Sequence, residues 1–263
     1  MLRRSLAAVA VTCLFAIAPA VAQAQWAPAN TATIHPGVQT YTQGAQCTAN
    51  FVFTNGADVL IGQAAHCSGT GAATDTNGCD SGSLPIGTPV EIRGASRPGT
   101  LVYNSWLAMQ AAGETDPGAC ASNDFALVRI DPADHARVNP SVPFWGGPEG
   151  IGGSATGQRV YSYGNSSLRL GVRALSPKTG LTTGGDGWSW NVYTASPGIP
   201  GDSGSAFLNG SGQALGILST LEILPRAASN NVTDAASAID YARAHGMSDL
   251  RLVEGTEPFS PVL

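Results

Sequence analysis

The chain has 263 residues, 43% of them hydrophobic and only 12% charged, with a formal net charge of −5 and one lysine, Lys178. That balance leaves no basic stripe to neutralise a phosphate backbone, so nucleic acid is not expected as a partner. Past the first residues no apolar run approaches the roughly 20 needed to span a bilayer, while the length is ample for a large core.

Residues 1–24 read as a secretory signal peptide. Arg3 and Arg4 precede the apolar run Leu6 to Ala18, and Ala22-Gln23-Ala24 offers a small-x-small cleavage site ahead of Gln25. The expected product is secreted and extracellular, with no membrane segment after cleavage. Cys13 falls in the leader, leaving Cys47, Cys67, Cys79 and Cys120. An even count in a secreted chain implies two disulfides, with three pairings open. There is no Cys-x-x-Cys and no His-Glu-x-x-His, so no metal site is expected.

Residues 25–33 read as a loosely held, proline-bearing arm. Short β-rich runs separated by turn residues then follow, the pattern of a sandwich or barrel. Gln46–Thr54 and Val59–Gln63 flank Asn55-Gly56, a hairpin signal. Pro89–Arg93, Thr100–Met109 and Phe125–Ile130 continue the strands, and residues 68–87 form a long polar loop. Asp75, Asn77 and Asp80 in that loop are spaced like calcium ligands, but Ile86 stands where an EF-hand needs glutamate, and solubilising a loop is the plainer account. The proline-rich stretch 131–153 divides the chain into an arm with a first β unit (25–140) and a second β unit with a helix (141–263). Strands are expected at Gln158–Tyr163, Leu168–Leu175, Gly187–Thr194, Ser205–Leu208 and Ala214–Leu221, with Asn209-Gly210 as another hairpin. Thr233 or Asp234 can cap a helix running to about His245, where Gly246 stops it.

The chemistry centres on Gly201-Asp202-Ser203-Gly204-Ser205. A glycine-flanked turn can hold a serine hydroxyl out of the core and aim backbone N–H groups at one point. A serine nucleophile needs a neutral imidazole, and the imidazole needs a carboxylate to fix its tautomer. Of four histidines, only His66 directly follows an apolar strand-like run, in Gly62-Gln63-Ala64-Ala65-His66-Cys67. Asp124 opens the run Asp124-Phe125-Ala126-Leu127-Val128.

In the order His, Asp, Ser, these three stretches resemble the signature motifs of the chymotrypsin-like (trypsin-fold) serine proteases, over about residues 38–221. The short spacing from the mature start to Cys47 is more similar to the family's bacterial secreted branch. The resemblance implies an all-β fold of two packed antiparallel β-barrels with a C-terminal α-helix, and an active site in the cleft between them. It implies a serine endopeptidase working through an acyl-enzyme on protein or peptide substrates, as a monomer without a cofactor. Carried over, His66 is the general base, Asp124 its orienting acid and Ser203 the nucleophile, with Gly201 and Ser203 N–H as the oxyanion hole. Ser219, Thr220 and Leu221 would line the substrate site. The resemblance also implies a Cys47–Cys67 disulfide, with Cys79–Cys120 as the second pair. Three departures stand out: no Ile-Val-Gly-Gly activation sequence occurs, the large pro-region typical of the bacterial branch is not expected, and Ser205 replaces a usual glycine.

Two rival readings share these residues. An α/β-hydrolase esterase would use Ser203 with Asp234 or Asp240 and His245, which occur in that fold's chain order. A catalytically inert binding module on the trypsin fold would keep the architecture without the reaction.

Overall fold

The computed structural model describes residues 26–72, 75–221 and 228–261. The expected signal peptide lies outside these residues. The first half comprises β1 (Gln39–Thr42), β2 (Ala45–Thr48), β3 (Val52–Asn55), β4 (Asp58–Gln63), β5 (Pro89–Ile92), β6 (Gly99–Asn104), α1 (Ser105–Ala112), α2 (Pro117–Ser122) and β7 (Ala126–Arg129). The second comprises β8 (Arg159–Tyr163), β9 (Pro177–Gly185), β10 (Ser189–Thr194), β11 (Ala206–Leu208), β12 (Ala214–Leu221), β13 (Asn230–Asp234), α3 (Ala235–Ala244) and β14 (Leu250–Leu252).

All strand pairs are antiparallel. The second half closes into a barrel in the order β10-β13-β12-β11-β8-β9. The first half is an eight-stranded sheet, β14-β3-β4-β7-β6-β5-β1-β2, in which β14 returns from the far end of the chain to pair with β3. The molecule is therefore all-β with a C-terminal helix, as expected. Strands β4 and β7 read as unbroken apolar runs because both of their faces are covered. Along β7, Ala126 and Val128 pack with Ile61, Val90 and Leu101, whereas Leu127 faces a second cluster. That cluster joins Phe51, Phe53 and Phe125 to Trp145, Leu208, Ile217 and Ile239, so it cements the two halves together with α3 between them.

Local chemistry sets several boundaries. Asn55 and Asp58 close the β3–β4 hairpin, with Gly56 at φ +60°. In the β11–β12 turn the side-chain Oδ1 of Asn209 accepts from Ser211 and Gln213 N–H. Asp234 caps α3 by accepting from Ser237 N–H at 2.8 Å, and Arg243 lies in its last turn.

Several expectations need correction. The strand expected through Met109 ends at Asn104, whose side chain accepts from Trp106 N–H and starts α1. Trp106 and Met109, three apart, then bury on one helix face. The run Gln46–Thr54 is broken into β2 and β3, where the Asn50 side-chain Oδ1 accepts from Phe51 N–H. Leu168–Leu175 forms no strand. Ser166 caps a tight turn at Leu168, Leu170 and Gly171 take φ of +53° and +77°, and the leucines point outward. Strand β9, rich in glycine, was not expected. Nor is the arm loose: Ala27 N–H donates to Val138 O at 2.8 Å, Asn139 Nδ2 returns a bond to Ala27 O, and Ile34 bridges to Val138.

Candidate active site

Strand register brings the histidine to the aspartate. Gln63 at the end of β4 lies opposite Ala126 at the start of β7, so the turn after one strand meets the residue before the other. Asp124, 4% exposed, accepts from His66 N–H through Oδ1 at 2.9 Å and from His66 Nδ1 through Oδ2 at 2.6 Å. The carboxylate thus fixes both the backbone and the ring of His66, and a proton on Nδ1 leaves the Nε2 lone pair free.

Ser219 reaches the same carboxylate from the other half. Along β12, Leu218 pairs with Val232 but Thr220 pairs with Asn231, so Ser219 is a bulged residue. A bulge re-aims a side chain, and Ser219 Oγ donates to Asp124 Oδ2 at 2.6 Å. Burial disfavours the Asp124 carboxylate, but the His66 charge and the bonds from His66 and Ser219 outweigh it and hold the group below the ordinary carboxylate range. Burial likewise works against an imidazolium at His66, yet the Asp124 charge and hydrogen bond prevail and raise its pKa above the ordinary histidine value.

The serine turn is gripped from both halves. Thr48 N–H, on β2, donates to Ser203 O at 2.8 Å, and Gln46 Nε2 and Thr48 Oγ1 donate to Gly201 O at 2.9 and 2.7 Å. From β12, Leu218 O accepts from Gly204 N–H at 2.7 Å. Gly201 and Gly204 have φ of +93° and +88°, which disfavours side chains there. A Cβ on Gly204 would lie 2.5 Å from Thr48 O and 2.9 Å from Ala64 N, two residues before His66. That close approach seats Ser203 beside the histidine turn. Among the described residues Ser203 Oγ and His66 Nε2 make no hydrogen bond to protein, so the hydroxyl is free to turn.

Two carbonyls orient the N–H groups of this turn. Pro200 O is drawn inward by Ser166 Oγ at 2.6 Å, and Asp202 O by Ser205 N–H at 3.0 Å and by Ser205 Oγ. In a trans peptide the N–H points opposite to the C=O, so Gly201 N–H and Ser203 N–H face away from these anchors. Neither donates to another group among the described residues. Ser166 was not singled out in the sequence, and Ser205 was noted only as a departure.

Beneath the turn Asp202 is fully buried. Its Oδ2 meets Arg169 Nη2 at 2.7 Å and Lys178 Nζ at 3.2 Å, while Oδ1 accepts from Ser166 N–H at 2.9 Å. Gly164 makes room, because a Cβ there would sit 2.4 Å from Asp202 Oδ1. Neither Arg169 nor Lys178 carries a motif, and only folding across 33 and 24 residues reveals them as its partners. On the side where a substrate would lie, Ser219 is buried, Thr220 half-buried and Leu221 exposed. Asn230, also missed, bonds Gly198 N–H and both Gly198 O and Thr220 O, tying the two adjacent segments together. A Cβ on Gly198 would meet Leu218 Cδ1 at 2.3 Å.

The disulfides are Cys47–Cys67 and Cys79–Cys120, with Cα separations of 6.1 and 5.1 Å. Among the described residues one group of metal-ligand type, Cys47, His66 and Cys67, lies close together, but both sulfurs are spent in the disulfide. The hydrolase alternative does not assemble. Asp234 caps α3 and accepts from Trp190 Nε1, Asp240 pairs with Arg243, and His245 bonds Tyr241 O.

No protein-family model matches the sequence, and no curated protein matches it. Solved structures do match. Protease A of Thermobifida fusca aligns over 84% of this chain and 99% of its own, at 19% identity and a TM-score of 0.56. A glutamic acid specific serine protease that uses a histidine triad in substrate binding aligns over 80% and 97%, at 18% identity and a TM-score of 0.52. A Glu endopeptidase aligns over 85% and 95%, at 20% identity and a TM-score of 0.51. These likenesses establish the fold, that of the chymotrypsin-like serine proteases.

Proposed function

We propose that this chain, on its trypsin-type fold, is a secreted serine endopeptidase that works through an acyl-enzyme. The observation that carries the reading is Asp124, whose carboxylate binds His66 and Ser219 at once while the strand bearing Ser219 also pins the Ser203 turn. One carboxylate therefore ties together the base, the nucleophile's turn and both halves of the molecule.

In the proposed reaction Ser203 Oγ attacks the scissile carbonyl carbon and its proton passes to His66 Nε2. Asp124 holds the required tautomer and offsets the imidazolium charge. Gly201 and Ser203 N–H donate to the oxyanion of the tetrahedral intermediate. Collapse releases the amine, which takes the proton from His66. Water, activated by His66, then frees the carboxylic acid product. The hydrogen bond from Ser203 Oγ to His66 Nε2 that this step requires forms as the substrate seats. No cofactor enters the scheme. The two disulfides suit an extracellular site of action for a monomer whose first unit ends near residue 140.

For the cleaved side chain we propose a preference for small or medium apolar groups near Ser219, Thr220 and Leu221. No acidic residue lies between Trp188 and Gly201 to pair with a buried Arg or Lys, and Leu218 and Asn230 crowd Gly198. A glutamyl preference lacks support. His35 bonds Pro36 O, His135 bonds Ile130 O and His245 stacks on Tyr241, which leaves His66 alone at the site. Profiling cleavage of a mixed peptide library tests this, and dominant cutting after Arg, Lys or Glu would overturn it. For the reaction itself, Ser203→Ala should stay folded and lose a factor on the order of 10⁶ in turnover. Substantial peptidase activity in pure Ser203→Ala protein would refute the assignment.

A further inference from the structure

Behind the serine turn, away from the proposed catalytic groups, lies a cavity of about 470 Å³ between the two halves. Arg93, Arg169 and Arg173 line it, and no aspartate or glutamate does. Among the described residues Arg93 and Arg173 form no ion pair, so neither charge is offset within the cavity wall. Arg169 is the inner wall. Its side chain is 9% exposed, with Nη1 on Ser196 Oγ and Nη2 on Pro197 O and Asp202, yet its Nε is buried without a partner. A buried donor left unmade is costly. Charge is also unbalanced, since two buried cations, Arg169 and Lys178, share the single Asp202 carboxylate. The imbalance shows at Lys178, where burial and the neighbouring Arg169 charge outweigh Asp202 and lower its pKa below the ordinary lysine value.

We infer that this cavity is a binding site for a small oxyanion, a carboxylate or a phosphate, held by Arg93, Arg169 and Arg173. Arginine's fork of donors suits such groups, and the volume is that of a small-ligand pocket. An anion here balances the second buried cation. It also holds Arg169 against Asp202, and so steadies the turn that carries Gly201 and Ser203. The site is separate from the proposed substrate cleft, so it stands or falls independently of the peptidase reading. Only its effect on reactivity rests on that reading.

The test uses the mature protein near neutral pH at constant ionic strength, with sodium phosphate and sodium acetate titrated in separate arms. Melting temperature is the primary readout. Saturable stabilisation of about 3 °C at ten times Kd is expected in at least one arm, phosphate alone indicating a phosphate ligand and acetate alone a carboxylate. Arg93→Gln and Arg173→Gln, both at exposed positions, should each weaken that response at least tenfold. No saturable shift in either arm, or an equal shift in the Arg93→Gln/Arg173→Gln double variant, overturns the site. The rate of Ser203 labelling by a fluorophosphonate, with and without saturating ligand, then measures the coupling, and an unchanged rate overturns the steadying of the turn. A melting shift in a protein that never labels would keep the anion site and refute the peptidase instead.

Discussion

Ser205 shows how one side chain can shape a site it never enters. Its Oγ and N–H both hold Asp202 O, which turns Ser203 N–H the opposite way. Ser205→Ala keeps the N–H bond and loses the hydroxyl bond. It should leave a folded protein whose kcat falls about tenfold, less than the 10²–10³ that follows loss of a direct oxyanion donor. Unchanged kcat in steady-state assays would show that the backbone bond alone orients the peptide. His66 sets the pH dependence at the same scale. The proposed base must be neutral, and Asp124 stabilises its protonated form, so the folded pKa lies above the ordinary 6.5. Activity is therefore full at higher pH and lost as pH falls through that raised value. The acid limb of kcat/KM should have its midpoint above pH 6.5, dropping about tenfold per pH unit below it. A midpoint at or under 6.5 would contradict the His66–Asp124 coupling.

Among the elements, what local chemistry dictates was legible and what distant contacts dictate was not. The Asn55-Gly56 and Asn209-Gly210 hairpins and the Asp234-capped helix depend on a few adjacent residues, and each stands where the sequence places it. Asn104 is an equally local cap, but the β-rich stretch before it carried the strand reading five residues too far into α1. Leu168–Leu175 was read among the β-rich runs, whereas Ser166 and Gly171 turn the chain and expose the leucines. The His66, Asp124 and Ser203 stretches were readable as motifs, since each needs its own neighbours. Ser166, Arg169 and Asn230 reach Pro200, Pro197 and Gly198 across 34, 28 and 32 residues, contacts that no adjacent motif announces. The disulfides belong to this scale too. They span 20 and 41 residues, for which loop closure predicts losses of about 3 and about 4 kcal/mol on removal, native strain reducing either. Urea unfolding of Cys79→Ala/Cys120→Ala should show the larger loss with activity largely kept, because that bridge ties the polar loop to α2 and neither cysteine bonds His66, Asp124 or Ser203. Removing Cys47–Cys67, which braces the His66 turn, should lower kcat as well. A reversed pattern would show that the loop bridge supports the site.

Across the whole molecule, the second half closes on itself as a barrel while the eight-stranded sheet of the first takes its edge strand β14 from the end of the chain. Cutting before β14 should therefore expose β3 and destabilise the first half rather than the second. The buried Asp202 cluster couples the rest. Arg169, ahead of β9, and Lys178, on β9, both lie on the Asp202 carboxylate. Asp202→Asn would leave two buried cations facing no carboxylate. It should cost about 3–5 kcal/mol in urea unfolding and abolish activity together with the turn's geometry. A loss under 1 kcal/mol would mean that the cluster does not hold the serine turn. The most direct test of the central claim is covalent. The purified protein would be treated with a fluorophosphonate and the adduct located by peptide mass spectrometry, with His66→Ala run in parallel. An activated Ser203 predicts one stoichiometric adduct on that residue, lost in His66→Ala, whereas an intact, folded protein that takes no label on Ser203 would contradict it.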